Sequence, residues 1–158
     1  MKKIIALMLS LICLMGLFGC AEDKEDGNTY ADVNLEAIKT QIIDELGVEG
    51  TMDMGVDMLT SYGIEEKDIK ESACFITMDG VFPDEIIMIK ATDSDAAKRV
   101  AEKLETRLKA VLEQSKNYDA ENYAVAQKCK VTTKGHLVTL FISAQNEGMQ
   151  DIFESALK

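Results

Sequence analysis

Downstream of residue 33 the apolar positions recur at helical spacing, then alternate, then return to helical spacing. Leu35, Ile38, Ile42 and Leu46 fall at intervals of three and four, which predicts a helix capped by Asn34 and ended by Gly47. A second, shorter helix carries Met58, Leu59 and Tyr62 and stops at Gly63. The run Ala73-Cys74-Phe75-Ile76-Thr77-Met78 predicts a strand, Asp79 to Asp84 a connection, and Glu85-Ile86-Ile87-Met88-Ile89-Lys90 the returning strand of a hairpin with a wide turn. From Ser94 to Ser115 a stripe of Ala97, Val100, Ala101, Leu104, Leu108 and Val111 faces Lys, Arg and Glu on the opposite side, the pattern of a helix with one buried face. Asp93-Ser94-Asp95 supplies its N-terminal cap, where negative charge opposes the helix dipole. Glu121 to Lys128 reads as a short helix or a loop.

A second hairpin is centred on Lys134-Gly135. With those two residues as the tight turn, Thr133 pairs with His136, Val131 with Val138 and Cys129 with Leu140. Val131, Val138, Leu140 and Ile142 then share one apolar face, and a last helix follows with Met149, Ile152, Phe153, Ala156 and Leu157. Two hairpins separated by a long helix predict an α+β fold, most simply a four-stranded antiparallel sheet with helices on one face. On that expectation Leu140→Asp unfolds the domain, and Leu137→Asp is the milder change because its face is only partly covered.

Upstream the pattern is of another kind. Lys2 and Lys3 precede Ile4 to Leu17, an almost wholly apolar run without an acidic residue, shorter than the roughly 20 residues of a spanning helix. It closes on Leu17-Phe18-Gly19-Cys20, which looks like a lipobox: a thiol that can take a diacylglyceryl group, preceded by a small residue that lets a peptidase approach. Phe18 is bulkier than the residue usual at its place. Residues 1–19 are therefore expected to be a lipoprotein signal peptide, 20–33 a lipidated tether, and 34–158 a single α+β domain. The polar stretch from Ala21 to Thr29, extended to Val33, spans about 20 Å if it behaves as a flexible coil. Two acyl chains on Cys20 would anchor it stably, which one chain does only marginally.

Charge and cysteines narrow the partners. The chain has 17 basic and 28 acidic side chains; without residues 1–19 there remain 15 basic and 28 acidic, a formal charge of −13. Nucleic acids and anionic surfaces need clustered Lys and Arg, so no nucleic-acid partner is expected. Of the four cysteines, Cys13 departs with the signal peptide and Cys20 carries lipid, leaving Cys74 and Cys129. Both lie among apolar residues in strand-like runs and read as buried thiols, with a disulfide as the alternative in an oxidising compartment.

Catalytic patterns are missing from the sequence. His136, the only histidine, falls at the hairpin turn and reads as a solvated residue, because a general base needs a nucleophile and an orienting group beside it. No nucleophile elbow, zinc-ligand spacing, EF-hand loop or phosphate-cradling glycine loop occurs, so no catalytic residue, metal or cofactor is assigned. Met52, Met54 and Met58 lie close together and read as core residues, with an adaptable apolar contact surface as the alternative.

The order of short strings along the chain carries a resemblance. Tyr62-Gly63-Ile64, Asp84-Glu85-Ile86, Lys90-Ala91-Thr92-Asp93 and Lys134-Gly135-His136 before an apolar strand, all behind a lipobox, resemble an uncharacterised lipoprotein family of Firmicute-type Gram-positive bacteria, domain of unknown function 4358. The resemblance runs from about Asn34 to Lys158 and implies a location and a domain type, with no site residues to transfer. The expected function is that of a lipoprotein anchored through Cys20 on the outer face of the cytoplasmic membrane. Its domain is expected to be a non-enzymatic binding or interaction module for an envelope protein, peptide or small ligand. A cell-envelope enzyme working through carboxylates, and a structural accessory subunit of a membrane complex, are the alternatives.

Overall fold

The computed structural model describes Tyr30, residues 32–78 and residues 83–158. The stretches expected to be a leader with its lipobox and most of a tether, and the part of the first hairpin's connection at 79–82, lie outside the described residues. Helix α1 spans Leu35–Leu46. The Asn34 side chain accepts the Ala37 N–H, and Gly47 ends the helix at φ 63°, a left-handed conformation that a glycine adopts without strain. Strand β1 (Thr51–Asp53) and helix α2 (Val56–Ser61) lead into β2 (Ile69–Thr77) and β3 (Glu85–Ala91). The long helix α3 (Ser94–Tyr118) begins where Asp93 accepts the Ala96 N–H at 2.7 Å. Asp119 then caps α4 (Ala120–Ala126), so the ambiguous stretch is a helix; β4 (Val131–Lys134), β5 (Leu137–Ile142) and α5 (Asn146–Ser155) complete the order.

The α+β class holds, and two finer expectations do not. The sheet has five strands, all antiparallel, in the order β1-β2-β3-β5-β4. The fifth is β1, whose Thr51 and Met52 pair with Thr77 and Ile76. Its three residues are all exposed, so no alternation announces it. Helices also cover both faces of the sheet, not one. Ile87, Ile89, Val138 and Leu140 pack against Val100, Leu104 and Leu108 of α3 and Leu59 of α2. On the other face Phe75, Ile86, Met88, Leu137 and Phe141 pack against Leu35, Ile38 and Ile42 of α1 and Met149, Ile152 and Phe153 of α5. Phe141 and Phe153 meet edge to face with centroids 6.3 Å apart. A Cβ at Gly148 would stand 3.2 Å from Leu46 Cδ2, so the absent side chain lets α5 close on α1.

The second hairpin turns one residue later than expected. Lys134 pairs with Leu137, Thr133 with Val138 and Val131 with Leu140, leaving Gly135-His136 as the loop. Gly135 has φ 56° at the first central position while His136 stays out of the positive-φ region, which is what a II′ turn asks of its two residues. With Lys134 in that first position, a side-chain-bearing residue would have to take the left-handed conformation. Each partner moves by two residues, so the side-chain parity survives, and Val131, Val138, Leu140 and Ile142 do share one face. Cys129 falls before β4, its N–H donating to Ala126 O at the end of α4.

Coverage of both faces changes the expected effect of charges. Leu137 is 1% exposed and Leu140 0%. Leu137→Asp and Leu140→Asp should each place an unpaired carboxylate in a packed layer, costing several kcal/mol of the roughly 5–15 kcal/mol that stabilise a domain of this size. In thermal melting of the full chain both variants should lose the cooperative transition. A Leu137→Asp protein that melts like its parent would show that α1 and α5 do not cover that face.

Candidate functional site

Charges enter the sheet only at its ends. At the start of β3, Glu85 points to the α3 face and receives Arg107, with Nε at 2.9 Å from Oε2 and Nη2 on Oε1. Tyr62 donates to the same Oε2 at 3.3 Å, and the Arg107 guanidinium lies 4.6 Å from the Tyr62 ring centroid. Burial, together with the nearby Glu85 charge, holds the Tyr62 phenol above its ordinary range. The hydrogen bonds that Arg107 donates to Glu85 push its guanidinium pKa up and hold it charged. At the other end of β3, Lys90 points to the α1 face and donates to Glu71 Oε2 and Val33 O, both at 2.7 Å. Glu71 Oε1 in turn accepts the Leu35 N–H at 3.4 Å. Asp68, 3% exposed, takes two hydrogen bonds from Arg99 at 2.7 and 2.9 Å, which hold its carboxyl below the usual range.

These groups answer each other. A bidentate arginine engages both oxygens of Glu85 and both of Asp68, and a cation with a backbone N–H does so for Glu71. A cleft of about 140 Å³ beside Glu85 and Arg107 also reaches Asp84, whose carboxylate is held by the Ser143 hydroxyl at 2.7 Å. Burial pushes the Asp84 carboxyl up, against the opposing effect of that hydroxyl.

The residues singled out in the sequence are dispersed. Leu17, Phe18, Gly19 and Cys20 lie outside the described residues. His136 Nε2 is 3.3 Å from Ser94 Oγ, and its carbonyl accepts the Ala91 N–H, so it ties the hairpin turn to the start of α3. Cys74 and Cys129 are free and buried. Burial pushes the Cys74 thiol up to about 12 and raises that of Cys129 as well, the opposite of what a nucleophile needs. Met54 is buried and Met58 packs against the α3-side core, while Met52 is 41% exposed on the edge strand. Among the described residues no helix is long and apolar enough to cross a membrane.

A groove of about 390 Å³ between the β4–β5 hairpin and α5 was not foreseen from the sequence. Lys128 and Lys130 line one side, Asn146, Glu147, Gln150 and Asp151 of α5 line the other, and Phe141 contributes at the base. One step beyond the ladder the register sets Lys130 opposite Phe141, and alternation turns both toward α5. Asn146 is anchored by donating to Ser143 O at 2.8 Å, and Gln150 by donating to Glu154 at 3.1 Å. Among the described residues Lys128, Lys130, Glu147 and Asp151 make no ion pair, although both signs border the same space. Its size falls in the range of about 300–1,000 Å³ usual for ligand sites. These residues come from three separate stretches of chain, so no linear motif marks them.

Residues 29–143 match the family described as Domain of unknown function (DUF4358). The chain belongs to this family. The match begins one residue before the first described one and ends at Ser143, just before α5, so the family's span includes every strand of the sheet. No curated protein and no solved structure matches the chain.

Two measurements check the electrostatics. A carboxyl whose folded-state pKa is raised favours folding fully below the unfolded-state value and loses that contribution as pH climbs through the folded-state value. Asp84→Asn should therefore melt higher than the parent at pH 7, with the difference vanishing by about pH 3, below the ordinary carboxylate range. An equal or lower melting temperature at pH 7 would mean that ionised Asp84 is stabilising. Cys74 and Cys129 should both resist an aromatic disulfide reagent in the native protein and react in denaturant without reductant. Absence of either thiol under those denaturing conditions would contradict their free state.

Proposed function

We propose that this DUF4358 protein is a lipoprotein held on the outer face of the cytoplasmic membrane through Cys20, and that its domain is a non-enzymatic binding or interaction module. The observation that carries the anchor is the leader itself. Lys2-Lys3, the uncharged apolar run and Leu17-Phe18-Gly19-Cys20 follow one another, and the matched domain begins at residue 29. The eight residues from Ala21 to Asn28 would span up to about 28 Å between the lipid and the domain at full extension, near the membrane yet clear of it.

The non-enzymatic character is supported by how the charges are used. Glu71, Glu85 and Asp68 are each paired with a cation, and the two thiols are driven toward the protonated form. The groove beside α5 has charges that are not paired, which suits recognition.

Labelled palmitate fed to cells expressing the parent should enter the protein. Cys20→Ser should abolish the label and leave the precursor at its full mass, leader attached. Label in the variant, or none in the parent, would refute the anchor.

A further inference from the structure

We infer that the groove between the β4–β5 hairpin and α5 is a binding site for a short zwitterionic peptide, one that offers a free carboxylate and a free ammonium group at once. This deepens the proposed binding role and rests on it. Lys128 and Lys130 supply two cations on the hairpin side, and Glu147 and Asp151 supply two carboxylates on the helix side. The four are exposed and face a common space without pairing across it. Some oppositely charged neighbours elsewhere pair, among them Lys98 with Asp95, Lys67 with Glu65 and Lys39 with Glu36 and Asp53, whereas the four in the groove stay open to a ligand. A simple anion would meet the carboxylates and a simple cation the lysines; a ligand with both signs meets each with its opposite. An extended tripeptide separates its terminal charges by about 10 Å.

The edge of the sheet adds a reason to prefer a peptide over other zwitterions. β4 is the terminal strand, so alternate residues of Val131–Lys134 direct backbone N–H and C=O groups away from β5. Lys130 immediately precedes it and lines the groove. An extended peptide lying beside the groove can use those groups, as peptides do when they add to a sheet edge.

The full chain, purified in detergent micelles with nitrogen-15 label, is titrated with trialanine, N-acetyl-trialanine, trialanine amide and inorganic phosphate. Trialanine should give saturable chemical-shift changes centred on Lys128, Lys130 and Glu147 to Asp151. Each capped form should bind about fivefold more weakly, the scale of one exposed ion pair. Lys130→Gln should weaken trialanine but leave the binding of trialanine amide unchanged; Asp151→Asn should do the same for the N-acetyl form. Both positions are exposed, and an unchanged spectrum outside the groove confirms the fold. Absence of saturable shifts with trialanine, capped peptides binding as well as the free one, or phosphate producing the same shifts would each overturn the peptide site. Such a failure leaves the lipid anchor standing if palmitate still enters the parent, and loss of the palmitate label refutes the anchor whatever trialanine does.

Discussion

Everything in this fold depends on burying β3 from both sides. All seven of its residues are buried, and Ile86, Ile87, Met88 and Ile89 are fully so, with successive side chains entering opposite layers. A strand with apolar side chains on both faces must have helices on both, because either face left open would return its share of the hydrophobic stabilisation to water. α3 covers one face with the stripe Val100, Leu104 and Leu108, while α1 and α5 must cover the other together, which explains the close approach at Gly148. The first and last described helices are thus drawn to one side of the sheet, and the groove lies between α5 and the residues leading into β4.

The same strand sets the buried electrostatics. Glu85 and Lys90 stand five residues apart, so alternation sends them to opposite faces, one toward Arg107 of α3 and the other toward Glu71 and the approach to α1. Each pairing ties an end of β3 to a helix or to the segment leading into one. Breaking either would leave a charge in a dry layer, a penalty well above what an exposed pair contributes. The bond from Lys90 to Val33 O also fixes where the chain leaves the domain toward its N-terminal segment. The approach to α1 is therefore held by the central strand itself.

What could be seen in the sequence was what is local. The spacing of Leu35, Ile38, Ile42 and Leu46 between Asn34 and Gly47, and the stripe from Ala97 to Val111, are complete within single helices and define them. Coverage of both faces was visible in principle, since the run Ile86–Ile89 has no polar residue and Leu137–Ile142 only Thr139, where a strand with one face in water would alternate. β1 was not, being three exposed residues whose identity as a strand comes only from pairing with β2. The hairpin register turned on one glycine, and placing Gly135 at the first central position of the turn recovers it. The groove depends on the approach of α5 to the β4 edge. Its charged residues, taken one at a time, have the pattern of any solvated surface.

Lysines beside an edge strand have a reason to be there without a ligand. A strand at the border of a sheet offers unpaired backbone groups to any passing chain, and charge on or next to it discourages that contact. Lys128, Lys130 and Lys134 fit that role, and Lys134 reaches Glu154 of α5 at 3.8 Å. What edge protection does not require is acid on the opposite wall. Glu147 and Asp151 fall on α5 at a spacing of four, on the side of the helix turned to the groove, while Met149, Ile152 and Phe153 take the core side. A peptide carrying both charges would meet each wall of the groove with its opposite, and the free edge of β4 begins at the residue after Lys130.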